Sequence, residues 1–177
     1  NGESPTLSMQ LQFKGGSMCD PLGQSGRAAL FSRMFKESGE HLSAEEISAQ
    51  LELLGSSINA QATKENFSIV VRCLKENFMK TMGILEELMM HPSFVEAELI
   101  RVKNEHKEFL AYQNDETEIL ANRTFYEGIY GKEHRLGRPA SGRFEETDQI
   151  DREALLKYRS EVLQPDNCLI AVSGDIK

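Results

Sequence analysis

Ile58-Asn59-Ala60-Gln61-Ala62-Thr63-Lys64-Glu65-Asn66-Phe67-Ser68-Ile69-Val70-Val71-Arg72-Cys73 consists of two alternating runs joined by a polar link. Ile58, Ala60 and Ala62 alternate with Asn59 and Gln61, and Phe67, Ile69, Val71 and Cys73 then repeat the pattern. Successive side chains of a strand point to opposite faces, so a period of two predicts half-buried strands, and Lys64-Glu65-Asn66 turns them into an antiparallel hairpin. Towards the N-terminus, Leu7, Met9, Leu11 and Phe13 alternate with Ser8, Gln10 and Gln12, giving a third strand that Gly15-Gly16 ends. Far downstream, Cys168 to Val172 reads as a final strand.

Between the strands the period changes to that of a helix. A helix begins near Gly26, with Ala28, Phe31 and Phe35 on one stripe, Leu30 and Met34 widening it, and Gly39 placed to cap its end. Ser43 and Glu46 form a capping-box pattern before Ile47, Leu51 and Leu54, and Gly55 stops that segment. From Glu76, Phe78, Met82, Leu85 and Met89 share a face up to the break at Pro92, and Met79, Met82, Met89 and Met90 read mostly as core filler. After Phe94 a long helix, with interruptions, runs through Glu98, Arg101, Leu110 and Ile119 towards Tyr126. Gly128, Gly131 and Gly137 with Pro139 mark a loop, and Asp151 to Tyr158 a short helix. The pattern predicts an α+β domain: a mostly antiparallel sheet with helices packed on one face.

With 177 residues and 40% hydrophobic content, residues 1–177 suffice for a single domain with its own core. A net charge of -8 argues against nucleic acid or an anionic membrane surface as partner. No apolar run is long enough to span a bilayer, and Asn1-Gly2-Glu3-Ser4-Pro5 lacks the basic and apolar regions of a signal peptide, which leaves the compartment open. Cys19, Cys73 and Cys168 are odd in number and far apart, and read as buried free thiols rather than a disulfide framework or a thiolate metal site. His41, His91, His106 and His134 lack i, i+4 spacing and read as surface or capping residues, and Glu105, His106 and Glu108 as a solvated helix face. Arg135 and Arg138 either brace their loop or bind an acidic terminus; Ser32 has nothing to activate it as a nucleophile.

Several short segments occur in a specific order: Phe13-Lys14-Gly15-Gly16-Ser17; Gly26 with Met34-Phe35-Lys36; Ser43-Ala44-Glu45-Glu46-Ile47; Leu54-Gly55-Ser56-Ser57-Ile58-Asn59-Ala60; His91-Pro92-Ser93-Phe94; Leu136-Gly137-Arg138-Pro139; Gln164-Pro165-Asp166-Asn167; and Ser173-Gly174-Asp175. Together they resemble the pitrilysin/insulinase family of zinc metallopeptidases, which includes mitochondrial processing peptidases and core subunits of respiratory complexes. The likeness spans nearly the whole chain and implies the fold of that family's metallohydrolase domain. In catalytic members an inverted motif, His-x-x-Glu-His, places two imidazoles on one helical face with a base between them, and a later helix adds a Glu.

At the matching positions this chain has Ala29, Leu30, Phe31, Ser32 and Arg33. Both imidazoles and the base are absent, and the permanent charge of Arg33 opposes a divalent ion. Counting from Pro92, the later carboxylate falls on Phe109 and its supporting Glu on Val102; a one-residue slip restores Glu108, but one carboxylate alone makes no catalytic zinc site. Neither catalytic nor metal residues are therefore expected here, and zinc is expected only in a catalytic partner half. The resemblance implies a non-catalytic domain, part of a longer multi-domain protein, which helps enclose unfolded peptide and assembles with a second peptidase-like domain or subunit. Asn59 and Ala60 occupy the family's substrate-pairing strand position. The parent could then be a zinc metalloendopeptidase through its other half, or a structural core-type subunit without peptidase activity; an intact motif elsewhere in the parent distinguishes the two. An active enzyme with a displaced metal site is a third reading, which metal analysis tests.

Overall fold

A computed structural model describes residues 5–37 and 39–174; Asn1 to Ser4 and Asp175, which entered the sequence reading, lie outside the described residues. The four strands are β1 (Thr6–Lys14), β2 (Ser57–Ala62), β3 (Asn66–Leu74) and β4 (Cys168–Gly174). They form one antiparallel sheet in the order β2-β3-β1-β4. Phe13 faces Phe67, Met9 faces Val71, and Ile58 faces Val71 from the other side, so the alternating apolar residues of three strands fall on one buried face.

Among the described residues, six α-helices accompany the sheet: α1 (Arg27–Met34), α2 (Ala44–Leu53), α3 (Phe78–Met90), α4 (Glu96–Asp115), α5 (Thr117–Tyr130) and α6 (Arg152–Val162). Phe31 of α1 is the hub of the core. Its ring centroid lies 5.2 Å from that of Phe67, 5.7 Å from Phe94 and 4.9 Å from Tyr158, which joins sheet, α1, the α4 approach and α6 in one aromatic cluster. The Ser43–Glu46 capping box forms as expected, with the Glu46 amide donating to Ser43 Oγ at 3.3 Å and the Ser43 amide to Glu46 Oε2 at 2.9 Å.

Several details depart from the sequence reading. Gly39 caps nothing: α1 ends at Met34, and the Gly39 amide donates to Leu42 O while the residue bridges to Pro92. Gly128 is not in a loop but inside α5, where its missing side chain faces open space. The interruption expected in the long helix falls at Glu116, whose ψ of 110° breaks the helical hydrogen bonding and leaves two helices. Met82 and Met89 pack against the core, but Met79 and Met90 stand exposed because the helical period carries them off the buried stripe. Cys19 is exposed, and Cys168 is only partly buried, so of the three free thiols only Cys73 is the buried one expected.

Candidate functional site

Ala29 to Arg33, the segment expected to match the zinc motif, sits on α1, and its position is set by the buried turn before it. Asp20 accepts hydrogen bonds from the amides of Gly26 at 2.9 Å and Ala28 at 3.0 Å, capping the first turn. Burial pushes the Asp20 carboxyl up to about 6, against the pull of those two amides and of Arg27 and Arg138. Arg138 is buried and braces this turn, donating to Asp20 O at 2.8 Å and Pro21 O at 2.9 Å, which realises the loop-bracing alternative. Gly26, at φ 102°, comes so close to Gly142 that a Cβ on Gly142 would lie 2.4 Å from the Gly26 Cα; both residues need to be glycine for the loop to approach the helix start.

Leu30 and Phe31 point into the core, leaving Ala29, Ser32 and Arg33 half-buried on the remaining face. Ser32 Oγ donates to Ala29 O at 2.7 Å, so its hydroxyl is committed to the helix backbone. The Arg33 guanidinium carbon lies 4.7 Å from the centroid of the Phe109 ring. The positions that counting assigned to a second imidazole and a later carboxylate thus meet across α1 and α4, occupied by a cation and an aromatic face. Glu108 and Glu105 are exposed, and Glu105 pairs with Arg101 at 2.6 Å.

His106 completes the stack. Its ring lies 6.1 Å from Phe109 at 27°, and the side chain is buried, contrary to the solvated face expected from sequence. Nε2 lies 2.9 Å from Ser141 O, so the neutral tautomer that donates there leaves buried Nδ1 without a partner. Burial, reinforced by the Arg33 charge, pushes the His106 pKa down to about 4, and the ring is neutral at pH 7. Sequence reasoning missed this residue; the signal available was its i, i+3 spacing from Phe109 and i, i+4 spacing from Val102 and Leu110. Val102 itself is buried.

Such an Arg-aromatic-imidazole stack can hold two helices together, with a cation over a ring contributing on the order of 0.5–2 kcal/mol. It offers neither an activated nucleophile nor a metal cage. Among the described residues, no three His, Cys, Asp or Glu side chains gather so as to hold a metal ion. No described helix is long and apolar enough to cross a membrane.

Asn59 and Ala60 lie on β2, at the sheet edge beside α1. They face Val70 and Ile69 on one side only, and Asn59 Oδ1 accepts from Lys36 Nζ, just past α1, at 3.4 Å. The outer edge of β2 carries no strand among the described residues, so its outward backbone groups are open to one.

Comparison with known proteins gives consistent likenesses. The family described as "Insulinase (Peptidase family M16)" matches residues 1–139. The chain is 26% identical over 152 residues to an uncharacterized zinc protease, YmxG, of Bacillus subtilis, covering 86% of the chain and 37% of that protein. It is 22% identical over 171 residues to an uncharacterized zinc protease of Rickettsia bellii, covering 97% of the chain and 41% of that protein. Among solved structures it is similar to a Pseudomonas fluorescens protein described as a peptidase M16 inactive domain, with TM-score 0.93, 23% identity, and coverage of 100% of the chain and 43% of the other. A Helicobacter pylori protease superposes with TM-score 0.89 at 19% identity, covering 98% and 42%. The chain therefore spans about two fifths of the length of the curated relatives it matches.

Proposed function

The chain belongs to the insulinase (M16) peptidase family, and from that premise we propose that it is a non-catalytic domain which helps enclose an extended peptide and assembles with a zinc-bearing half. The observation that supports this reading is Arg33 stacked on Phe109, the positions that the resemblance matches to an imidazole and a later carboxylate of the family's zinc site. A fixed positive charge there opposes a divalent ion, and the ring supplies no oxygen ligand. The open edge of β2, with Asn59 and Ala60 on it, supports peptide binding by strand addition, in which main-chain hydrogen bonds hold unrelated sequences alike.

Assembly is supported by apolar surface left uncovered. α5 has no buried residue and exposes Leu120, Phe125 and Ile129, while the outermost strand β4 exposes Leu169, Ile170 and Val172. Exposed apolar side chains grouped on one element are the kind of surface that a partner covers. The reading also makes the domain one piece of a longer protein, in keeping with its share of the relatives' length.

The test is reconstitution. Mixed with the zinc-bearing half of its parent protein or complex, the chain should raise peptide cleavage above that of the half alone, and Phe125→Glu with Ile129→Glu should abolish the rise. Cleavage by the other half that is indifferent to this chain would reject the enclosing part and favour a purely structural subunit.

A further inference from the structure

Between α4, α5 and the loop that follows lies a half-open cleft of about 760 Å³. Its apolar floor includes Leu110, Ile119 and Tyr126; Lys64, Arg123, Lys132, Arg138 and Arg143 line it, against two carboxylates, Glu127 and Glu145, so cations outnumber anions. In a chain of net charge -8, Lys64, Arg123 and Lys132 have no carboxylate partner among the described residues. Arg143, which also lines the cleft, is different: it is neutralised by Glu133 and Glu146, each at 3.2 Å, with Glu127 at 3.9 Å.

Lys64 is the best-placed of the three. It projects from the hairpin tip between β2 and β3, its Nζ donating to Leu136 O at 2.6 Å and lying 4.6 Å from the centroid of the Tyr126 ring. One carbonyl and one aromatic face leave one of its three N–H donors unused. Partial burial also lowers the Lys64 pKa, because an ammonium without a counter-charge is costly to shield from water. Arg123 spends one N–H on Asn114 Oδ1 at 2.7 Å and has the rest of its fork free.

The cleft begins where β2 ends, since Lys64 follows Ala62 by two residues. A peptide lying along the edge of β2 and leaving it at Ala62 would do so two residues from Lys64, which lines this cleft. We infer that the cleft is a charge-selective subsite for acidic peptide segments, in which glutamate or aspartate carboxylates of the bound chain pair with Lys64, Arg123 and Lys132 over a floor that accepts their apolar neighbours. The inference rests on the domain being part of a peptide-enclosing wall.

Two labelled peptides of equal length test it by fluorescence anisotropy with the intact chain, one alternating glutamate with threonine and the other glutamine with threonine. The glutamate peptide should bind about tenfold tighter at low salt, the combined value of three exposed ion pairs. High salt should erase the difference. Lys64→Gln with Arg123→Gln and Lys132→Gln should bring its affinity down to that of the glutamine peptide, whose own affinity stays unchanged. Because Lys64 also braces the hairpin tip, Arg123→Gln with Lys132→Gln is the companion variant, and it should remove most of the preference. Equal binding of both peptides, or a preference undiminished in the companion variant, would overturn the charge-selective subsite and leave the enclosing wall intact. No binding of either peptide would overturn the wall and the subsite together.

Discussion

Arg33 and Phe109 are 76 positions apart in sequence and 4.7 Å apart in space, and the pair sets a cation against an aromatic face between α1 and α4. Restoring only the helical motif, with Ala29→His, Ser32→Glu and Arg33→His, should give a chain that binds zinc weakly, because Phe109 still supplies no oxygen. Adding Phe109→Glu should bring chelator-sensitive binding measurable by isothermal titration; tight binding by the triple variant alone would show that α4 presents some other ligand. His106, wedged beside the pair, predicts a pH effect. Its folded pKa of about 4 lies below the ordinary value of 6.5, so the unfolded chain takes up a proton that the folded chain resists. The contribution is intact above 6.5 and is lost as pH falls through this window, amounting to about 3 kcal/mol at its acid end. Asp20 titrates in the opposite sense, since a folded pKa raised to about 6 adds stability on acidification. The comparison is therefore between the wild type and His106→Gln, which share Asp20: urea titrations at neutral and acid pH should show the wild type losing more stability, and parallel losses would contradict the buried neutral imidazole.

At the scale of elements, helix starts and close approaches position the site. Ser43→Ala removes the side-chain acceptor of the α2 capping box and should cost about 1 kcal/mol. Gly142→Ala places a methyl against the Gly26 backbone at a φ of 91° and should cost about 1–3 kcal/mol, read as a lower urea midpoint. What could be read from sequence follows the same division between local and distant causes. The alternation of Leu7 to Phe13 and Ile58 to Cys73 was legible because strand periodicity is local, and so was the Ser43–Glu46 cap. Gly39 and Gly128 misled because the presence of glycine does not say whether the backbone takes a positive φ, and neither does so here. The burial of His106 was illegible because it depends on Ser141, which a loop brings against α4 from 35 residues away. The cationic cleft was illegible for the same reason, its residues coming from a hairpin tip, a helix and a loop.

For the whole molecule, the sheet and aromatic core sustain the fold on the α1 side, while α5 and β4 present apolar side chains outward. Phe125→Glu with Ile129→Glu changes only exposed positions, so the unfolding free energy of the isolated chain should move by no more than about 0.5 kcal/mol, as circular dichroism in urea would record. A large loss would mean that α5 is already a core element. On the proposed reading, the domain keeps the peptidase fold and holds no metal centre. Metal analysis of the purified chain after zinc loading and dialysis tests it most directly. The prediction is that no stoichiometric zinc is retained, whereas one chelator-removable zinc per chain, accompanied by peptide cleavage, would contradict it.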